Sequence, residues 1–121
     1  MKADFNKKQM GDAGEMLVAA EMTLAGVPTF LAPSNWPTYD LIGESKDFLV
    51  PQRISVKTRT FKPGASQNVD YCKELKNNFD WLAIVLLDCP GEMKRRFFIV
   101  PKAIADEIFD SGRIGTKNEG W

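Results

Sequence analysis

The stretch YDLIGESKDFLVPQRISVKTR, residues 39–59, decides how this chain is read. Tyr39–Ile42 reads as a short strand, and Gly43–Asp47 carries turn residues. From Gln52 to Phe61 a longer strand is predicted. Strict alternation puts Arg53, Ser55, Lys57 and Arg59 on one face and Ile54 and Val56 on the other, which is the core side. The hairpin therefore has an aspartate, Asp40, at the end of one strand and a lysine, Lys57, on the next.

Working outward, Trp81–Leu87 is seven apolar residues without alternation, as expected of a central strand covered on both faces. Val27–Ala32 reads as a strand, Pro33–Pro37 as a turn, and Phe97–Val100 as a final strand after the turn at Pro90-Gly91-Glu92. A leading helix is predicted from Asp12, with Asp12 and Glu15 at capping-box spacing and Gly26 placed to end it. A short helix is expected near 71–77, capped by Asp70, and a closing one from Pro101 to about Phe109. The expected architecture is a single α/β domain: a central mixed sheet of about five strands flanked by helices. Residues 12–109 form that domain, between a flexible N-terminus (1–11) and a polar C-terminal tail (110–121).

Composition bounds the chemistry. The chain has 121 residues, 44% of them hydrophobic, and this is enough for one real core. Its longest apolar run is far short of a membrane span, and its start has no apolar leader, so a soluble cytoplasmic protein with no membrane partner is expected. Sixteen basic and sixteen acidic residues balance, which leaves a local nucleic-acid patch open. There is no histidine, and Cys72 and Cys89 have no CxxC spacing. Cys/His zinc sites and histidine-based nucleophilic machinery are thereby excluded within the chain. Both thiols are expected reduced, Cys72 half buried and Cys89 in a turn.

What remains is carboxylate, lysine, hydroxyl and a hard metal ion. Hydrolysing a phosphodiester this way needs a metal on the phosphate and help in activating water. Mg²⁺ takes oxygen ligands, usually with only one or two protein carboxylates. Asp40 and Lys57 supply two parts of such a kit. The next carboxylate belongs two residues before the lysine, on the same strand face, and that position holds Ser55. The segment Arg53–Lys62 carries four positive charges and no acid, so it suits a phosphate backbone or, equally, a charged strand protected from aggregation. Lys94-Arg95-Arg96 reads as a solvated hairpin flank, and Trp36 as a lid over the core or a base-stacking residue.

From about Gly14 to Phe109 the chain resembles the PD-(D/E)XK nuclease-like superfamily, in particular small archaeal Holliday-junction resolvases and restriction endonuclease-like domains. GEMLVAAEMTLAG (14–26) resembles the leading helix with its glutamate, and PTYDLIG (37–43) the aspartate strand. ISVKTR (54–59) resembles the (D/E)xK strand, WLAIVLLD (81–88) the central strand, and RRFFIVPKAIADEI (95–108) the closing strand and helix. The resemblance implies a metal-dependent DNA endonuclease using Mg²⁺ or Mn²⁺. Glu15, Asp40 and Lys57 would be catalytic, and Asp40, Glu15, Ser55 and the carbonyl of Val56 would hold the metal. Arg53, Arg59 and Lys62 would contact DNA, and a homodimer would bring two sites to two strands. Serine stands where the family has a carboxylate or glutamine; Glu15 or Glu21 could compensate, and Asp47 and Gln52 lie near in sequence. The alternatives are a degenerate nuclease-fold module that binds nucleic acid or a protein, and a small assembly protein whose basic strand is only an edge.

Overall fold

In a computed structural model, the structure describes residues 5–33, 39–61 and 78–110, with side chains as far as 107. The order is α1 (Lys7–Leu24), β1 (Thr29–Leu31), β2 (Leu41–Gly43), β3 (Gln52–Thr60), β4 (Trp81–Leu87), β5 (Arg96–Pro101) and α2 (Lys102–Asp110). The strands form one sheet in sequence order, antiparallel except for the parallel pair β3–β4. This is the mixed five-stranded α/β sheet expected from the sequence. A parallel pair requires a crossover, and here that link is 61–80. The helix expected at 71–77, together with Lys62, Cys72 and Trp36, lies outside the described residues.

The start of α1 differs from expectation. Asn6, not Asp12, is the N-cap: its side chain accepts from the Gln9 N–H at 2.8 Å, and Gln9 returns the bond to the Asn6 N–H at 3.0 Å. Asn6 and Gln9 have the same capping-box spacing as Asp12 and Glu15 but come earlier. Once nucleated there, the helix runs on through the good helix formers Lys7, Lys8, Gln9 and Met10. The helix takes in residues 7–11, which the sequence reading leaves outside it, and Asp12 instead accepts from Lys8 one turn back at 2.9 Å. The other end is as expected. Gly26 has φ 101°, and the Val27 N–H to Met22 O and Gly26 N–H to Thr23 O bonds close a Schellman motif that only a residue tolerant of positive φ permits cheaply.

β4 carries the core on both its faces. On one, Leu82 and Ile84 pack with Phe79 and with Ala105 of α2. On the other, Ala83 and Val85 join Val18 of α1, Leu41, Ile54 and Val56. Each such aliphatic side chain contributes about 1.5–3 kcal/mol by leaving water. Alternation in β3 is as predicted, with Ile54, Val56 and Thr58 buried and Ser55, Lys57 and Arg59 half-buried on the opposite face. Cys89 lies in the connection between β4 and β5 and is buried there, its N–H bonded to Lys94 O and its Sγ 3.6 Å from Leu86 O. No helix among the described residues is long and apolar enough to cross a membrane.

Candidate functional site

β2 begins two residues later than expected, so Asp40 stands just before the strand. Its backbone is tied on both sides, N–H to Ile54 O at 2.9 Å and carbonyl to Ala32 N–H at 2.8 Å. The side chain then has little freedom, and its Oδ2 accepts the Val56 N–H at 2.7 Å. That N–H belongs to the peptide joining Ser55 to Val56. The Asp40 carboxylate is thus seated on the backbone of β3 at the Ser55–Val56 peptide. At Val56 the observed contact is this N–H.

Glu15 comes to the same place from α1. Its carboxyl is brought close to that of Asp40, and its pKa is raised from the ordinary 4.5 to about 7. Burial is the main cause, followed by the charges of Asp40 and Asp12, with Lys8 pulling weakly the other way. A capping role is the rival explanation for Glu15. With the cap at Asn6 that rival is gone, since Glu15 sits in mid-helix. Two carboxyls share a half-buried space, and one of them is reluctant to ionise.

The approach of α1 depends on Gly14. A Cβ built there would lie 1.8 Å from Thr58 Oγ1, 2.8 Å from Thr58 Cβ and 2.9 Å from Thr58 Cγ2. Thr58 is buried, and its hydroxyl has no hydrogen-bond partner among the described residues. Both features cost stability. A glycine inside a helix costs about 1 kcal/mol against alanine, and an unpaired buried hydroxyl costs about 1–3 kcal/mol.

Lys57 is half-buried on β3 next to Val56, opposite Ile84 in the register, and is engaged in an interaction of its own. Arg59 donates from Nη1 to Thr58 O at 2.8 Å. Arg53 is held by a partner that the sequence reading does not find. Asp80, 27 positions along the chain, accepts its backbone N–H at 2.8 Å, Nε at 3.1 Å and Nη2 at 3.0 Å, while Nη1 bonds Asn78. The clamp lowers the pKa of Asp80, first through the Arg53 side-chain bonds. It also locks the start of β3 beside the start of β4, where Asp80 O accepts from Lys102 N–H and anchors α2. Because the carboxyl titrates lower in the folded chain, the clamp stabilises above the ordinary 3.8 and is lost as pH falls through the lowered value. Asp80→Ala is expected to destabilise by about 2 kcal/mol in urea unfolding, discounted for the half-exposed setting. It should leave divalent-metal affinity unchanged. A matching loss of metal affinity would mean that Arg53 and Asp80 belong to the site.

Glu15, Asp40 and the Ser55–Val56 peptide are therefore brought together. Among the described residues no cluster of three or more acidic, Cys or His side chains forms, so the two carboxyls act as a pair. Glu21 lies along the groove between α1 and β5 with Phe97 and Ile99, and so does not supply the missing carboxylate.

No protein-family model matches the sequence, and no curated protein matches it. Among solved structures the fold is similar to that of a bacterial homing endonuclease, I-Ssp6803I, with a TM-score of 0.60 and 14% identity, over 83% of this chain and 72% of that one. At that identity the similarity is one of fold.

Proposed function

We propose that this chain is a metal-dependent DNA endonuclease of the PD-(D/E)XK type, with Glu15 and Asp40 as its charged metal ligands. The observation that carries the proposal is the seating of Asp40 on the Val56 N–H of β3, with Glu15 brought beside it from α1. Two carboxyls from different elements converge on the strand that bears Lys57, and the Glu15 carboxyl is held up at about 7 by burial and by its neighbours. A divalent cation relieves that crowding, and two carboxylates with neutral oxygens suit Mg²⁺ or Mn²⁺. The shared fold of a homing endonuclease supports DNA as the substrate class.

In this reading the Val56 N–H fixes Asp40, and Glu15 completes the charged pair. Ser55 adds a neutral hydroxyl, and Lys57 offsets charge developing on the phosphate. A bound metal would polarise the phosphate and make its bound water more acidic. Arg59 and Lys62 follow the DNA backbone. Arg53, occupied by Asp80, has a structural role that needs no DNA. We place the protein in the cytoplasm, working as a pair of copies on two strands.

The test is incubation with linear, single-stranded and four-way-junction DNA in Mg²⁺, Mn²⁺ or EDTA. Cleavage is expected with metal, and loss of it in EDTA and in Lys57→Ala. Cleavage that survives both conditions would sink the assignment. Ser55 favours a second reading, a nuclease shape retained for binding only; salt-sensitive DNA binding without cleavage selects it. Ser55→Glu separates the two geometrically. Its added carboxylate, beside the peptide that holds Asp40, should tighten Mn²⁺ binding by about tenfold, since ligand charge count sets affinity. Unchanged affinity would show that side chain 55 does not reach the site.

A further inference from the structure

We infer that Gly14 is a positioning residue: its missing side chain lets α1 seat directly on Thr58, and this close seat holds the Glu15 carboxyl against Asp40. The inference deepens the proposed function and rests on that reading for its importance to catalysis, though not for its geometry.

Three observations meet at adjacent residues. The Gly14 Cα faces Thr58 so closely that a single added carbon would overlap Oγ1 at 1.8 Å. Thr58 keeps a buried hydroxyl unbonded, among the described residues, at that point of contact. One residue on, Glu15 reaches from the helix to the neighbourhood of Asp40, close enough for each carboxyl to affect the other, and Asp40 is itself fixed to β3 through Val56 N–H. Neither a mid-helix glycine nor an orphaned hydroxyl benefits folding. Both are features of one contact, and what that contact sets is the separation of α1 from β3. Asp40 moves with the strand and Glu15 with the helix, so this separation is also the separation of the two carboxyls.

An alanine at 14 must push the elements apart by roughly 1.5 Å to restore an ordinary contact distance. Displacements of about 1 Å are enough to cost a pre-organised site a hundredfold. The Asp40–Val56 bond lies wholly on the sheet side and would persist, so the expected lesion is specific: Asp40 stays and Glu15 withdraws.

The experiment uses the full chain and two readouts. One is Mn²⁺ affinity by electron paramagnetic resonance. The other needs no metal: a double-mutant cycle between Glu15→Gln and Asp40→Asn in the unfolding equilibrium, in EDTA at pH 8. In the native background the cycle should give a coupling factor of about tenfold. With Gly14→Ala the coupling is expected to vanish and Mn²⁺ binding to weaken by about tenfold or more. Both should return in Gly14→Ala/Thr58→Gly, where the obstructing side chain is gone. A purely structural role would lower stability in Gly14→Ala without abolishing the coupling, and unchanged coupling overturns the inference. So does a double variant that folds without regaining it. Should Gly14→Ala not fold, Thr58→Leu puts a longer side chain into the same contact, and undiminished coupling there overturns the inference equally. If the native protein binds no Mn²⁺ and cuts no DNA, the nuclease reading fails, and the metal-free cycle still decides the role of Gly14.

Discussion

Asp40→Asn is expected to abolish metal-dependent cleavage, lowering it by at least about a thousandfold, the scale at which a pre-organised charge contributes to a transition state. The substitution preserves shape, and an amide oxygen can still accept the Val56 N–H that holds the side chain now at 2.7 Å. What it removes is negative charge at the point where two carboxyls meet. With a single carboxylate left, and that one reluctant to ionise, a divalent cation loses most of its attraction to the site. Stability should change little or rise, because the neighbouring charge that disfavours ionised Glu15 is gone. Calorimetry in EDTA and cleavage in Mn²⁺, run on the same preparation, would read both. Cleavage within tenfold of native would show that Asp40 is a strand-end anchor and nothing more.

The second large effect runs against the usual direction of a mutation. Glu15→Gln should raise the melting temperature of the metal-free protein at pH 8, by about 5 °C for a domain of this size. The Glu15 carboxyl titrates near 7 in the folded chain and near its ordinary 4.5 in the unfolded one. Between those values the unfolded chain has already lost its proton while the folded chain keeps it. Stability therefore falls as pH rises through that window, and above 7 the full cost is present. Half-exposure and solvent screening reduce that cost to about 1–2 kcal/mol. Glutamine never ionises and escapes it, so the native and Glu15→Gln curves should converge below pH 4.5 and separate above it. Added Mn²⁺ should reverse the order, stabilising the native protein and not the variant. A variant less stable than native protein at pH 8 in EDTA would contradict the crowding that underlies the proposed site.

Readability from sequence followed the range of the interaction. β3 and β4 were legible almost to the residue, since alternation in QRISVKTRT and the uninterrupted run WLAIVLL report how each strand is covered. The C-terminus of α1 was legible because Gly26 is a local solution to a local problem. Its N-terminus was not, because two capping boxes compete, and the earlier pair, Asn6 and Gln9, captured the helix. The β2–β3 hairpin could be read from strand spacing, whereas the approach of Glu15 to Asp40 followed only from the family resemblance. Arg53 shows the limit most clearly. Its place in a basic strand suggested phosphate, but its partner Asp80 lies across the parallel crossover, where no periodicity links the two. The pairing of Gly14 with Thr58 is hidden for the same reason, although a glycine inside an apolar helical run is a signal to ask what approaches it.

The way Asp40 is held has a consequence for how this chain can drift. Its tether is a main-chain amide, and every residue except proline supplies one at position 56. The side chain at 55 takes no part in that bond. Inherited changes at 55 can therefore come and go without dislodging Asp40, and a lineage could lose a carboxylate there, keep the scaffold of the site intact, and later regain it at that one position.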